Sequence, residues 1–172
     1  CHKNEDIQEQ YINELRKRSV QAIVFLGTNK KAEELNLLSR DYPICICGDY
    51  IEGINFLSVT SDVFQSSYNA VTHLIKKGFD RIGMISSLTR VWSSLQKEAA
   101  YQKALEDNGI PYRPEYIFYN HFSMSGNYAF RYFESLDEPP NAIFSISDFI
   151  ASSIINPIQR KYELGKDYSL IG

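Results

Sequence analysis

Two rhythms of apolar and polar residues alternate along the chain. Short apolar runs of strand length recur at Ala22 to Leu26, Ile44 to Cys47, Phe56 to Val59, Arg81 to Ser86, Tyr116 to Tyr119, Ala142 to Ile146 and Tyr168 to Ile171. Between them, apolar residues return at helical spacing. Glu5 to Arg18 places Ile7, Tyr11, Ile12 and Leu15 on one face, with Arg16, Lys17 and Arg18 at the end where cations suit the helix dipole. Lys30 to Ser39 turns Ala32, Leu35 and Leu38 inward. A helix after Asp62 carries Tyr68, Val71, Thr72 and Ile75 on one face. Gln96 to Asn108 buries Ala99, Ala100, Ala104 and Leu105, and Ser125 to Ser135 forms another helix. Phe149, Ile150, Ile154 and Ile155 open the last one, which Pro157 kinks or limits to about two turns.

The punctuation agrees with this reading. Asp62 is a natural N-cap, and Gly78 and Gly109 follow helices as C′ glycines. Pro139-Pro140 breaks the chain before the run at Ala142. Leu88 to Leu95 reads as a loop holding the single tryptophan, Trp92. Strands alternating with helices predict an α/β fold of doubly wound parallel sheets. The continuous apolar run Ala22 to Leu26 predicts a strand buried on both faces. The pattern opens as αβαββ, and a sheet that begins with a helix predicts strands before it. A boundary near Thr60 separates two α/β lobes, residues 1–60 and 61–172.

The place that draws chemistry is Asn141 to Ala151. A strand stops, Ser147 and Asp148 appear, and a helix begins. Ligands of parallel α/β sheets bind at the carboxyl ends of strands. Asp148 has two readings. It caps the helix, as aspartate does well, or its free oxygen also accepts hydrogen bonds from a polar ligand.

Charge narrows the function classes. The formal net charge is -3 and no Lys/Arg run stands out, so this segment lacks the basic footprint that phosphate backbones require. No apolar run reaches membrane-spanning length. The three cysteines, Cys1, Cys45 and Cys47, form no disulfide framework, which fits a reducing cytosol. Cys45 and Cys47 alternate along a strand, so they share a face and read as small buried residues. They could form half of a metal site, but no paired His/Cys cluster follows.

Catalytic patterns are missing from the sequence: no phosphate-binding glycine loop and no Gly-x-Ser-x-Gly elbow. His2, His73 and His121 are scattered, with His73 mid-helix and His121 in a strand-end loop. Trp92, Lys97, Phe122 and Asp148 remain, at predicted strand ends and helix starts. Aromatic faces for stacking and charges for orientation suit a small polar ligand. For Trp92 and Phe122 ordinary packing is the alternative. A carboxylate and an ammonium together cover both hydrogen-bond roles of a hydroxyl-rich molecule, so a neutral sugar is expected.

Ala70 to Ile85, Glu98 to Ile110, Ala142 to Ala151 and Tyr168 to Gly172 resemble, in order, segments of the lactose repressor (LacI/GalR) family of bacterial transcription regulators. Val20 to Val24 is loosely similar to the first lobe's strand. The resemblance implies a periplasmic-binding-protein-like core of two lobes with a small effector, often a sugar, between them. It implies a cytoplasmic homodimer that grips operator DNA through a helix-turn-helix headpiece outside this chain, with no cofactor, metal, membrane or enzymatic activity. On this resemblance 1–60 is part of the N-terminal effector-binding lobe and 61–172 most of the C-terminal one. Position by position, Asp148 falls on a ligand-binding aspartate and Phe122 on a strand-end aromatic. Lys97 stands where an effector-binding arginine is usual, Ser147 for an asparagine, and Ala100 for a glycine. Lysine is a point donor where arginine is a fork. The alternative is a secreted solute-binding protein of similar fold that feeds a transporter.

Overall fold

The computed structural model describes residues 5–17, 20–28, 30–120 and 126–172. The chain divides into two compact units, Cys1–Ser61 and Asp62–Gly172. In the first, α1 (Glu5–Lys17), β1 (Ile23–Phe25), α2 (Ala32–Leu38), β2 (Ile44–Cys47) and β3 (Leu57–Val59) follow in order. The strands form one parallel sheet in that order, with Ile23 beside Ile44 and Cys45 beside Leu57. Its core is Ile12, Ile23, Phe25, Leu35, Leu38, Ile44 and Ile46.

This sheet is covered on one face only. Ile23 and Phe25 are buried while Val24 between them is 59% exposed, and Leu57 and Val59 are exposed on β3. The expectation of a doubly buried strand is therefore corrected: an apolar run fixes strand character but does not say how many layers cover it. Cys45 and Cys47 do share a face, with their Sγ atoms 3.9 Å apart. That face is the open one, so both thiols are half-buried rather than buried. On α1 only Ile12 of the expected apolar face is buried; Ile7 and Tyr11 are exposed.

The second unit runs α3 (Val63–Lys76), β4 (Ile82–Ser87), α4 (Trp92–Asp107), β5 (Ile117–Asn120), α5 (Asn127–Glu134), β6 (Ala142–Ser145), α6 (Asp148–Gln159) and β7 (Ser169–Ile171). Its sheet is parallel throughout in the order β5-β4-β6-β7. All four carboxyl ends therefore share one edge. β4 and β6 are buried along their whole length, as the continuous apolar runs require. Helices supply the cover: Val71 and Leu74 from α3, Tyr101, Ala104 and Leu105 from α4, Ala129 and Phe133 from α5, and Ile150, Ile154 and Ile158 from α6.

Local chemistry sets the helix ends. Asp62 caps α3 by accepting from the Gln65 N–H at 2.8 Å. Gly78, at φ +94°, ends it in the left-handed region that glycine enters without strain. Two expectations are corrected at the other helices. α4 begins at Trp92, not after Leu95: Val91 is extended, its carbonyl accepts from the Leu95 N–H at 3.1 Å, and the turn continues directly. α6 runs through Pro157 to Gln159, so of the two effects expected of the proline the limit to about two turns does not hold. On α4, Ala99 is exposed, and Ser94 and Tyr101 fill the inner face instead. Among the described residues no helix is long and apolar enough to cross a membrane.

Candidate functional site at the carboxyl edge

Three of the four strands of the second sheet, β4, β5 and β6, close on polar residues. Ser86 and Ser87 end β4, Asn120 ends β5 and Ser145 ends β6, and each is nearly inaccessible to solvent. Pairing aligns them: Ser87 lies beside Asn120 and Ile85 beside Ser145. The sequence carried this signal as a serine or asparagine closing each of those three strands. It is easily read as the beginning of a loop.

Two helices start at this edge and carry charges to it. Lys97, on the second turn of α4, donates from Nζ to the Ile146 carbonyl at 2.8 Å. The ammonium is half-buried. Burial pushes its pKa below the ordinary lysine value, and the Asp148 charge offsets part of that shift. Asp148 is the first residue of α6, and Ser147 holds the N-cap position in extended conformation without a side-chain cap bond. The expected capping role of Asp148 is thus corrected by one position. Its carboxylate stands in the first turn, where the helix dipole favours a negative charge. It lies against the backbone after β7, where a Cβ on Gly172 would come within 2.7 Å of Oδ1. Ser147 is itself held by Ser145, whose hydroxyl donates to the Ser147 carbonyl at 3.0 Å.

Lys97 and Asp148 therefore stand at the same edge, near enough for the Asp148 charge to act on the ammonium but without an ion pair between them. Trp92 is at the same end of α4, but five residues before Lys97 sets it about 140° around the axis, on a different face. Phe122 and His121 lie outside the described residues. Phe149, read from spacing with the apolar positions of the last helix, is instead 69% exposed next to Asp148. His73 is exposed on α3.

A second cluster at this edge was also missed. Glu98, next to Lys97, accepts from the buried Ser86 hydroxyl at 2.6 Å and from Arg90 Nη1 at 2.8 and 3.1 Å. Arg90 Nη1 also donates to the Tyr119 hydroxyl at 3.3 Å, and the guanidinium lies over the Tyr119 ring. The Glu98 charge, then the Tyr119 hydrogen bond, hold Arg90 above its ordinary pKa. Sequence could not pair these residues, because the contact depends on how far α4 extends toward its start. Among the described residues no group of three or more His, Cys, Asp or Glu could hold a metal ion.

Residues 71–172, more than half of the chain, match the periplasmic binding protein-like domain family. The chain belongs to that family. Among curated relatives, this periplasmic-binding-protein-like chain is 30% identical over 173 residues to catabolite control protein A of Priestia megaterium, covering 98% of this chain and 52% of that protein. It is 26% identical over 160 residues to the NTD biosynthesis operon regulator NtdR of Bacillus subtilis, covering 92% and 49%. Among solved structures, a transcription regulator from Lactobacillus plantarum is 28% identical with a TM-score of 0.81, over 95% of this chain and 63% of that one. A LacI-family regulatory protein from Chloroflexus aggregans has the same fold, with a TM-score of 0.82 at 21% identity, over 98% and 63%. The lactose repressor resemblance and the α/β fold class are borne out. The chain spans about half the length of the curated relatives it matches.

Proposed function

We propose that this chain is the effector-binding core of a transcriptional repressor, and that it binds a small hydroxyl-rich molecule, a sugar. The observation that carries the reading is the convergence of Lys97 and Asp148 at the carboxyl edge of the β5-β4-β6-β7 sheet. Burial of the ammonium is unfavourable, its hydrogen bond is to the Ile146 carbonyl, and a polar ligand would reward the charge. The names of the relatives, which are transcriptional regulators, support the regulatory context. In this reading 1–60 contributes to the N-terminal lobe and 61–172 is most of the C-terminal lobe. The chain is a binding domain rather than an enzyme, working in the cytoplasm as part of a homodimer.

Operator retardation by the intact protein tests this. A saturating sugar from a panel of monosaccharides should change retardation of operator DNA at least tenfold, and sedimentation should give two subunits. An intact protein that binds sugar, carries a cleavable leader and ignores DNA would point instead to a solute-binding protein.

A further inference from the structure

Arg90 is held in an unusual way for a structural ion pair. Only Nη1 is engaged: it alone meets both Glu98 oxygens and the Tyr119 hydroxyl. Nη1 is the guanidinium nitrogen on the Cδ side, so the opposite edge, Nε with Nη2, is the one whose two N–H bonds run parallel. That edge matches the two oxygens of a carboxylate or phosphate. Among the described residues no acceptor meets it, and the Arg90 side chain is 52% exposed. Glu98 is only 14% exposed and is itself fixed by the fully buried Ser86. The guanidinium is thus tethered through Nη1 and the Tyr119 ring, with no acceptor among the described residues at its bidentate edge.

The placement relates this edge to Lys97 and Asp148. Consecutive residues of α4 are about 100° apart, and they diverge here. Lys97 reaches toward the end of β6, whereas Glu98 holds Arg90 toward β4 and β5. In the order β5-β4-β6-β7, β5 and β6 are two strand spacings apart, roughly 10 Å. That separation is about the span of a sugar ring with one exocyclic acid group.

We propose that the effector carries an oxyanion, a carboxylate or a phosphate on a sugar-sized body, and that it docks on the Nε–Nη2 edge of Arg90. This rests on the effector-binding reading above and replaces the neutral sugar expected from sequence. Arg90 selects for the acid group, and Glu98 and Ser86 are positioning residues that orient it.

Calorimetry on the intact protein with glucose, glucuronate, glucose 6-phosphate and inorganic phosphate tests the proposal. The wild type should prefer an acidic probe over glucose by about tenfold or more, as two charge-assisted hydrogen bonds provide. Whichever of glucuronate and glucose 6-phosphate is preferred identifies the oxyanion. Arg90→Lys, which keeps the charge but not the parallel edge, should reduce the ratio of acidic to neutral affinity to within about threefold of unity. Lys103→Ala, an exposed position paired with Asp107, serves as the control and should change nothing. Equal wild-type affinity for glucose and the acidic probes overturns the proposal, as does an acid preference that survives Arg90→Lys. If glucose binds equally well and Lys97→Met weakens it, the effector-binding reading stands without the oxyanion. If none of the four probes binds, the oxyanion assignment fails together with the sugar reading.

Discussion

Lys97→Met separates a binding lysine from a structural one. Methionine keeps the aliphatic stem and removes the ammonium. Among the described residues the ammonium makes one hydrogen bond, to the Ile146 carbonyl, and it feels the Asp148 charge. Its lowered pKa means that burial outweighs those favourable contacts, so the folded state disfavours the charged form relative to water. Removing it should change stability by less than about 1 kcal/mol, because the relieved desolvation offsets the lost bond. Binding should behave otherwise. Loss of a charged donor to a ligand in the site costs about 1.5–3 kcal/mol, roughly ten- to 150-fold in affinity. Thermal unfolding and calorimetry on the intact protein read the two quantities separately. A fall of more than 2 kcal/mol in stability with unchanged sugar affinity would refute the reasoning and make Lys97 a strap for the end of β6. The pH dependence has a definite sign. A folded pKa below the unfolded value means that the unfolded chain holds the proton more tightly. The Lys97 contribution to stability is therefore fully present above the ordinary lysine pKa and is lost as pH falls through the lowered one. Raising pH toward 10.5 should stabilise the wild type relative to Lys97→Met.

Other perturbations follow from the same contacts. Gly126→Ala should destabilise by about 1–3 kcal/mol, since a Cβ there collides with Ile154 and Ser153 on α6 and lies 3.1 Å from the Ile150 carbonyl; denaturant unfolding measures it, and an unchanged midpoint would contradict the packing. Tyr101→Phe should cost about 1 kcal/mol in the same assay, because the buried hydroxyl donates to the Ile82 carbonyl at 2.7 Å. The Cys45 thiol, raised by burial and by the Cys47 contact, should alkylate with a pH midpoint above the ordinary thiol value, and Cys47→Ser should bring that midpoint down. The chain alone, at net charge -3, should give no salt-sensitive, sequence-specific retardation of operator DNA.

Much of the fold was legible because apolar runs and helical spacing are local. Ala142 to Ile146 and Asp62 report their own roles without knowledge of neighbours. Burial at Val24 and Cys45 was misjudged because covering layers are not encoded in the strand itself. The placement of Lys97 and Asp148 at the carboxyl edge was legible, partly through family resemblance. Arg90, Glu98, Ser86 and Tyr119 were not. Their meeting depends on α4 starting at Trp92 and on β5 lying beside β4, and neither follows from spacing along the chain.

The central claim, that a small effector binds at the carboxyl edge of the second sheet, is tested most directly by hydrogen exchange on the intact protein with and without a bound sugar. Protection should rise at residues 88–98 and 146–150, which carry Arg90, Lys97 and Asp148. Ligand-dependent protection confined to α1 and α2, with those two segments unchanged, would contradict it.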